Sequence, residues 1–353
     1  MSLRSRIAGE IRRSGPITVE RYMDLCLNDP QSGYYATRPR LGEAGDFITA
    51  PHVSQMFGEL IGLWATETWA ALGEPPRIIL AEMGPGDGVM MSDVMRATRV
   101  APSFAAAAEV WLTETSAPLR EVQRSRLGDL PHWAQSLSEL PGDAPVILLA
   151  NEVLDCLPIR QAVRAAGGWR ERRIAADAQD RLAFAVSEPV EPPGAPKGAP
   201  EGVVFEWSPE VEALGREVGA LVTRAGGAAL FIDYGRDAAE AADTLQALLG
   251  HRKLPPLAEP GEADLTAHAD FPAFLAGAGE AGAAVSRIVS QGEFLRRLGV
   301  EVRADALARA RPDRADVIVR QMRRLISAEG MGTLFKVAAV ASPGLPLPAL
   351  EMA

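Results

Sequence analysis

The chain has 353 residues, 47% of them hydrophobic and 23% charged, enough for one large domain or two smaller ones around a sizeable core. That composition excludes a mainly disordered chain, and a cysteine pair, Cys26 and Cys156, excludes a disulfide scaffold. A formal charge of −10 argues against a general nucleic-acid binder, and no apolar run reaches the roughly 18 residues of a membrane span.

Leu3, Ile7 and Ile11 repeat every four residues and predict an amphipathic first helix. Arg4, Arg6, Arg12 and Arg13 also fit an organelle transit peptide, but the helical spacing is the better account. Gly15-Pro16 breaks the chain, and a second helix opens at Thr18 and covers residues 21–27. Gly33-Tyr34-Tyr35 and residues 39–51 read as loops, and a third helix covers residues 53–72. Beyond Arg77 come short apolar runs at 78–81, 110–113, 146–149 and 228–232, with helical stretches between them. Continuous apolar strands alternating with helices predict an α/β fold with a parallel sheet covered on both faces. Residues 160–186 suggest an inserted hairpin, and residues 189–202, with five prolines, an exposed and poorly ordered loop. After Asp233 the chain is Ala/Gly-rich and predicted mostly helical, up to a candidate late strand at 332–340. The divisions expected are a helical region with a lid at 1–75, the core at 76–250, a helical substrate-side region at 251–330, and final strands at 331–353.

Glu82-Met83-Gly84-Pro85-Gly86-Asp87-Gly88 follows the first core strand and leads into a helix at 90–99. Glycines there let the backbone turn sharply and approach a ligand. A dinucleotide-binding turn is usually G-x-G-x-x-G, whereas this one reads E-x-G-x-G-x-G. The acid at the strand end suits a cationic ligand better than a pyrophosphate, and S-adenosylmethionine carries a sulfonium and an ammonium. Glu114, at the end of the next strand, sits where a carboxylate can accept bonds from both ribose hydroxyls. That position is shared with nicotinamide enzymes, so an oxidoreductase stays open on Glu114 alone.

Gly45-Asp46-Phe47-Ile48-Thr49, Ser54-Gln55-Met56-Phe57-Gly58-Glu59, Glu82-Met83-Gly84-Pro85-Gly86 and Ala150-Asn151-Glu152-Val153-Leu154-Asp155 form an ordered series. Asp233-Tyr234-Gly235, Asp264-Leu265-Thr266-Ala267-His268, Gln291-Gly292 and residues 331–337 continue it. This series resembles the MidA family of S-adenosylmethionine-dependent methyltransferases over nearly the whole chain. The resemblance implies a class I methyltransferase (Rossmann-like) sheet with added N-terminal helices and a C-terminal, mostly helical insertion. It implies S-adenosyl-L-methionine as cofactor, enclosed by a lid that includes Asp46 and Thr49, with Gln55 beside it and Glu59 on the substrate side. Mitochondrial members of the family are arginine methyltransferases that assist assembly of respiratory complex I. The partner implied is therefore a protein substrate such as a complex I subunit; the Ala/Arg-rich composition points to a bacterial cytoplasm as the place of action, with the mitochondrial matrix the place for a eukaryotic chain. His52, Asp87 and Cys156 depart from the family's usual residues, which bears on the substrate rather than the fold.

The run at 146–149 delivers Asn151, Glu152 and Asp155 to the carboxyl edge of the sheet, where open α/β folds bind ligands. If that loop takes one helical turn, Glu152 and Asp155 lie on one side and can hold a guanidinium in paired, planar geometry. They are the catalytic candidates, with Asn151 orienting the loop; the competing reading makes them caps of a following helix. Trp133 is a candidate to stack on adenine and His268 to line the substrate side. The histidines and cysteines show no metal-ligand spacing. The functional reading is a methyltransferase acting on a protein side chain, arginine first, and its alternative is a non-catalytic assembly factor that keeps the cofactor fold.

Overall fold

The computed structural model describes residues 2–37 and 49–353. Helix α1 (Leu3–Ser14) buries Leu3, Ile7, Ala8 and Ile11, the stripe its spacing predicts. Strand β1 (Ile17–Thr18) leads into α2 (Val19–Asn28), where the Thr18 hydroxyl accepts from the Arg21 amide as N-cap. Three further helices follow: α3 (Tyr34–Thr37), α4 (Ala50–Val53) and α5 (Gln55–Ala71). The first core strand, β2 (Ile78–Met83), is followed by α6 (Val89–Ala97), α7 (Pro102–Ala107), β3 (Ala108–Thr113), α8 (Ala117–Leu127), β4 (His132–Ala134) and β5 (Val146–Asn151). The expected hairpin is the centre of a five-stranded antiparallel sheet: β6 (Arg160–Ala165), β7 (Gly168–Ala176) and β8 (Leu182–Pro189) follow one another, β9 (Val204–Trp207) returns to pair with β6, and β1 pairs with β7. Helix α9 (Pro209–Ala225) returns the chain to β10 (Gly227–Arg236), every residue of which is buried.

Beyond β10 the chain is less helical than its composition suggests. Strands β11 (Gln246–Leu249), β12 (Arg252–Leu254) and β13 (Asp264–Thr266) pair antiparallel as a small separate sheet. Then come β14 (Ala269–Asp270), α10 (Phe271–Glu280), β15 (Ala284–Val285), β16 (Val289–Ser290), α11 (Gln291–Arg297), α12 (Val300–Ala310), α13 (Ala315–Ile326) and β17 (Phe335–Ala341).

The central sheet runs β15-β17-β10-β5-β2-β3-β4, parallel from β10 to β4, with β17 antiparallel beside β10. Successive residues of a strand point to opposite faces, so Ile78 and Leu80 enter one apolar layer and Ile79 and Ala81 the other. The first layer contains α5, α6, α11 and α13, and the second α9 and α10. Strand order reverses between β2 and β5, and the carboxyl ends of those two strands open a crevice there.

The added parts pack differently from the divisions expected at 75 and 251. Helix α5 belongs to the core, with Phe57, Leu60, Ile61 and Trp64 buried on the sheet. Helices α1–α3 instead share a cluster with Ile174 of β7, Ala247 of β11 and Leu265 of β13, because their apolar stripes find no room on the covered sheet. Residues 189–202 are also held: Val190, Ala195 and Ala199 pack on the cluster of Trp169 and Phe205. Apolar residues between the prolines anchor what composition alone made look loose.

Helices α9 and α10 approach closely through glycines. A β-carbon at Gly215 would lie 2.1 Å from the Phe274 carbonyl oxygen, and one at Gly277 would lie 2.2 Å from that of Glu212. Neither backbone can yield without parting the helices. Gly215→Ala should cost about 2 kcal/mol of stability by overpacking, read as a lower urea midpoint with an unchanged slope; a wild-type midpoint would show that the pair has slack.

Candidate active site

A cavity of about 380 Å³ opens at the carboxyl ends of β2, β3 and β5. Gly84, Gly86 and Gly88 all adopt left-handed backbone, with φ of 64°, 54° and 78°. Gly84 and Gly86 line the cavity, whereas Gly88 caps α6 and sits under Leu127 of α8. Gly88 therefore serves the turn rather than the cavity wall.

Glu82, at 3% exposure, contributes a carboxyl oxygen, Oε2, that meets no hydrogen-bond donor among the described residues. Burial, with the charge of Asp87 adding to it, pushes this carboxyl well above its usual range. The buried Oδ1 of Asn151 likewise lacks a donor there. Unsatisfied buried acceptors are costly, so this wall is built for a ligand rich in N–H groups or positive charge. A pyrophosphate, all acceptor and negative, would fit it poorly. Glu114 stands in the same cavity, its Oε1 accepting from the Ser116 amide at 2.7 Å and its Oε2 from Gln123 at 3.2 Å. A carboxylate fixed in this way suits a vicinal diol. These residues fit the cationic amino-acid end and the ribose of S-adenosylmethionine.

Trp133 lies outside the cavity wall. Its indole donates to Gln123 Oε1 at 2.8 Å, and the Arg124 guanidinium covers its ring at 4.8 Å. The expectation of stacking on adenine is therefore replaced by a supporting role, since the ring is turned toward α8 and holds the glutamine that holds Glu114.

The acidic loop takes neither of the two forms expected of it. The amides of Val153, Leu154 and Asp155 all donate to one oxygen of Asp233, at 3.0, 2.8 and 3.1 Å. This buried carboxylate, 1% exposed, wraps the loop around itself, so the single turn closed by the Leu157 amide on the Leu154 carbonyl does not continue as a helix, and the next regular element is β6 rather than a helix to be capped. Glu152 is left-handed at φ 56°, a conformation an L side chain rarely adopts and one often found at working sites. Asn151 and the Ala50 amide both donate to its Oε1, at 3.0 and 3.4 Å. Burial, then the neighbouring Asp155 charge, pushes the Glu152 carboxyl up to about 8. Asp155 and Asp233 are raised too, by burial first. Three carboxyls this close do not all ionise unless a cation joins them. Glu152 and Asp155 line the cavity; Asp233 supports them from behind.

The remaining candidates divide. Thr49 lines the cavity and bonds His52 Nδ1 at 2.8 Å, while His52 Nε2 meets Asp87 at 3.1 Å. The two departures at 52 and 87 thus satisfy each other, and Arg126 joins Asp87 at 2.7 Å. Asp46 and the lid segment up to Ile48 lie outside the described residues. Gln55 is exposed and donates to Glu59, and Glu59 pairs with Arg96 at 2.8 Å and Arg303 at 2.7 Å. Neither reaches the cavity; they brace α5 against α6 and α12, because a carboxylate at 7% exposure needs those two guanidiniums. His268 is also outside, edge-on to Tyr234 at 5.9 Å. Its segment reaches the cavity instead through Asp264, which sequence reasoning missed together with Tyr34 and Tyr35. Asp233 was visible only as an acid ending an apolar run, the same signal that marks Glu82. Among the described residues no group of three or more His, Cys, Asp or Glu is placed to hold a metal ion.

Comparison with known proteins agrees with this geometry. Residues 60–289 match the family Methyltransf_28, described as S-adenosyl-L-methionine-dependent methyltransferases. The chain is 34% identical to the mitochondrial protein arginine methyltransferase NDUFAF7 of Bos taurus, over 84% of this chain and 73% of that one. It is 34% identical to the NDUFAF7 homolog of Drosophila melanogaster, over 96% and 84%. A COG1565 superfamily member from Burkholderia thailandensis bound to S-adenosyl-homocysteine superposes with a TM-score of 0.86 at 28% identity, covering 98% of this chain and 94% of that one.

A β-carbon at Gly84 would meet Val153 Cγ2 at 2.9 Å and force an L residue into left-handed backbone. Gly84→Val should therefore leave the chain folded and abolish S-adenosylhomocysteine binding in titration calorimetry. Wild-type affinity in a folded Gly84→Val protein would remove this turn from the cofactor site.

Proposed function

The chain belongs to the MidA family of S-adenosylmethionine-dependent methyltransferases, and from that premise we propose that it methylates the guanidinium of an arginine side chain on a protein. The observation that carries this reading is the buried acidic loop, Glu152 and Asp155, in the same cavity as the glycine turn. The names of its relatives as protein arginine methyltransferases support it. On the family resemblance, the arginine belongs to a subunit of respiratory complex I, and the place of action is the cytoplasm of a bacterium or the mitochondrial matrix of a eukaryote. Among the described residues no helix is long and apolar enough to cross a membrane.

Gly84 and Gly86 admit the cofactor to the strand ends, Glu82 and Asn151 accept from its ammonium, and Glu114 takes the ribose hydroxyls. When bound, that group supplies a sulfonium methyl open to direct displacement. A free guanidinium holds its proton with a pKa above about 12 and spreads its lone pairs over the plane, so it is a poor nucleophile. Glu152 and Asp155 bind it edge-on, draw positive charge to the nitrogens they touch, and align the remaining nitrogen. Among the described residues the donors to Glu152 meet Oε1, which leaves Oε2 to face the acceptor and take the proton the methylated nitrogen sheds. Asp233 keeps the loop in this form, and Asn151 holds the Glu152 side chain.

Glu152 works ionised, so kcat/KM should rise with pH through a limb near 8. Glu152→Gln should remove that limb, lower methyl transfer by about 100-fold or more, roughly 3 kcal/mol, and spare S-adenosylhomocysteine affinity. The same group sets a stability trend. The folded protein holds the Glu152 proton up to about 8 and the unfolded chain releases it at ordinary acidity, so stability from this group falls as pH rises between those points. The melting temperature of Glu152→Gln should lack that part of the slope. The physiological target, captured on Glu152→Gln and identified by mass spectrometry, provides the assay; wild-type turnover by this variant would show that the loop is structural and the acceptor is held elsewhere.

A further inference from the structure

Most surface arginines of this chain are matched by an acid: Arg6 by Asp29, Arg12 by Asp180, Arg126 by Asp87 and Arg216 by Glu212. Residues 309–324 differ, with six arginines and two aspartates in a chain whose formal charge is −10. Arg311 takes Asp313 at 3.0 Å. Arg309, Arg314, Arg320, Arg323 and Arg324 are exposed, and their guanidiniums meet no acceptor among the described residues. Arg320, Arg323 and Arg324 lie three and four residues apart and so share one face of α13, with Asp316 the acid on that face. Arg314 is the N-cap residue of α13, where the helix's own partial positive charge adds to it. The opposite face buries Ile318, Leu325 and Ile326, and α13 packs against α4 and α12. Helix α4 in turn lines the cavity with Pro51 and His52, and its Ala50 amide reaches Glu152. The arginine face therefore stands two helix widths, roughly 20 Å, from the acidic cavity.

We propose that this arginine face docks an acidic segment of the protein substrate, an inference that rests on the protein-arginine reading above. The two ends of the binding path carry opposite charge. The cavity, lined by Glu152 and Asp155, takes the acceptor's cation, and α13 takes carboxylates of the same substrate chain. Opposed patches steer encounter and fix orientation, and a substrate presented backwards meets like charges at both ends. All six basic residues are arginines, whose planar fork matches a carboxylate with two parallel hydrogen bonds. An extended chain covers roughly 20 Å in about six residues, so the acidic segment belongs at least that far along the substrate from its arginine. Stable seating on a membrane needs an apolar face as well as charge, and that of α13 is already buried within the protein. A nucleic acid is repelled by the net negative charge of the rest of the chain.

The test uses the full chain saturated with S-adenosylhomocysteine and labelled Gly/Ser peptides that contain a single arginine, with binding read by fluorescence anisotropy. Two of them carry about five glutamates about eight residues before or after the arginine, and their controls carry glutamines instead. At about 50 mM salt the wild type should bind one acidic peptide at least tenfold more tightly than its control, and about 300 mM salt should remove most of that gain. Arg320→Gln, Arg323→Gln and Arg324→Gln together should bring the acidic peptide to the level of its control. Affinity for the control and for S-adenosylhomocysteine should stay at wild type, which certifies the fold. Arg309→Gln with Arg314→Gln should cost the acidic peptide about threefold. Equal binding of acidic and control peptides by the wild type, or an acidic preference that survives the triple substitution, overturns the docking face and leaves the arginine reading standing. Sedimentation with phosphatidylserine vesicles that the triple substitution abolishes, with no peptide preference, assigns the face to a membrane and also overturns it. The lysine form of the control tests the reading beneath: tighter binding of lysine than of arginine overturns the arginine acceptor, whatever the glutamates do. Should the triple variant lose S-adenosylhomocysteine affinity, the Arg309 and Arg314 pair decides: an unchanged acidic preference sinks the proposal.

Discussion

The site depends on one buried carboxylate. Asp233 lies within the longest core strand, three residues before its end, and a single oxygen of its side chain accepts the amides of three successive residues in the neighbouring loop. Backbone amides oriented on one carboxyl oxygen form a concave nest, and that oxygen compensates them where water cannot reach. The loop therefore has one shape, and that shape drives Glu152 into left-handed backbone with its side chain in the cavity. Without Asp233 the chain after β5 would have three unsatisfied amides at the edge of the sheet.

Two kinds of acid share this edge, and their surroundings separate them. Asp233 and Glu59 are structural: one is surrounded by amides, the other by two arginines. Glu82, Glu152 and Asp155 line the cavity, where burial raises each above its usual range. A cation relieves the cost of such a cluster, so binding of positive charge and release of protons are coupled. The chemistry proposed for the site uses that coupling in both directions, to bind a guanidinium and to remove its proton.

The added elements have their own logic. The sheet is covered on both faces, so α1–α3 cannot join it and pack instead on β7, β11 and β13. That assembly brings Tyr35 and Asp264, far apart in the chain, to one hydrogen bond at the cavity wall. The His52–Asp87–Arg126 contact links α4 to the glycine turn and α8 in the same manner.

The sequence by itself determined the α/β core, the glycine turn with its strand-end acid, Glu114, and the presence of Asn151, Glu152 and Asp155 at the sheet edge. These are local signals: apolar runs long enough to be strands, glycines where the backbone must turn left-handed, and acids at the points where strands end. Only the tertiary structure decided what those acids touch. Asp233 looks like Glu82 in the sequence, yet one faces backbone amides and the other faces the cavity. Gln55, Glu59, Trp133 and His268 carry the right chemistry for a site and are turned away from it by packing. Tyr35 lies in a stretch read only as a loop and Asp264 in a motif whose histidine drew the attention; their pairing follows from where two surplus apolar faces found burial. Spacing along a chain reports which face of an element is apolar; it does not report which partner will cover that face, and the partner places the site's outer wall.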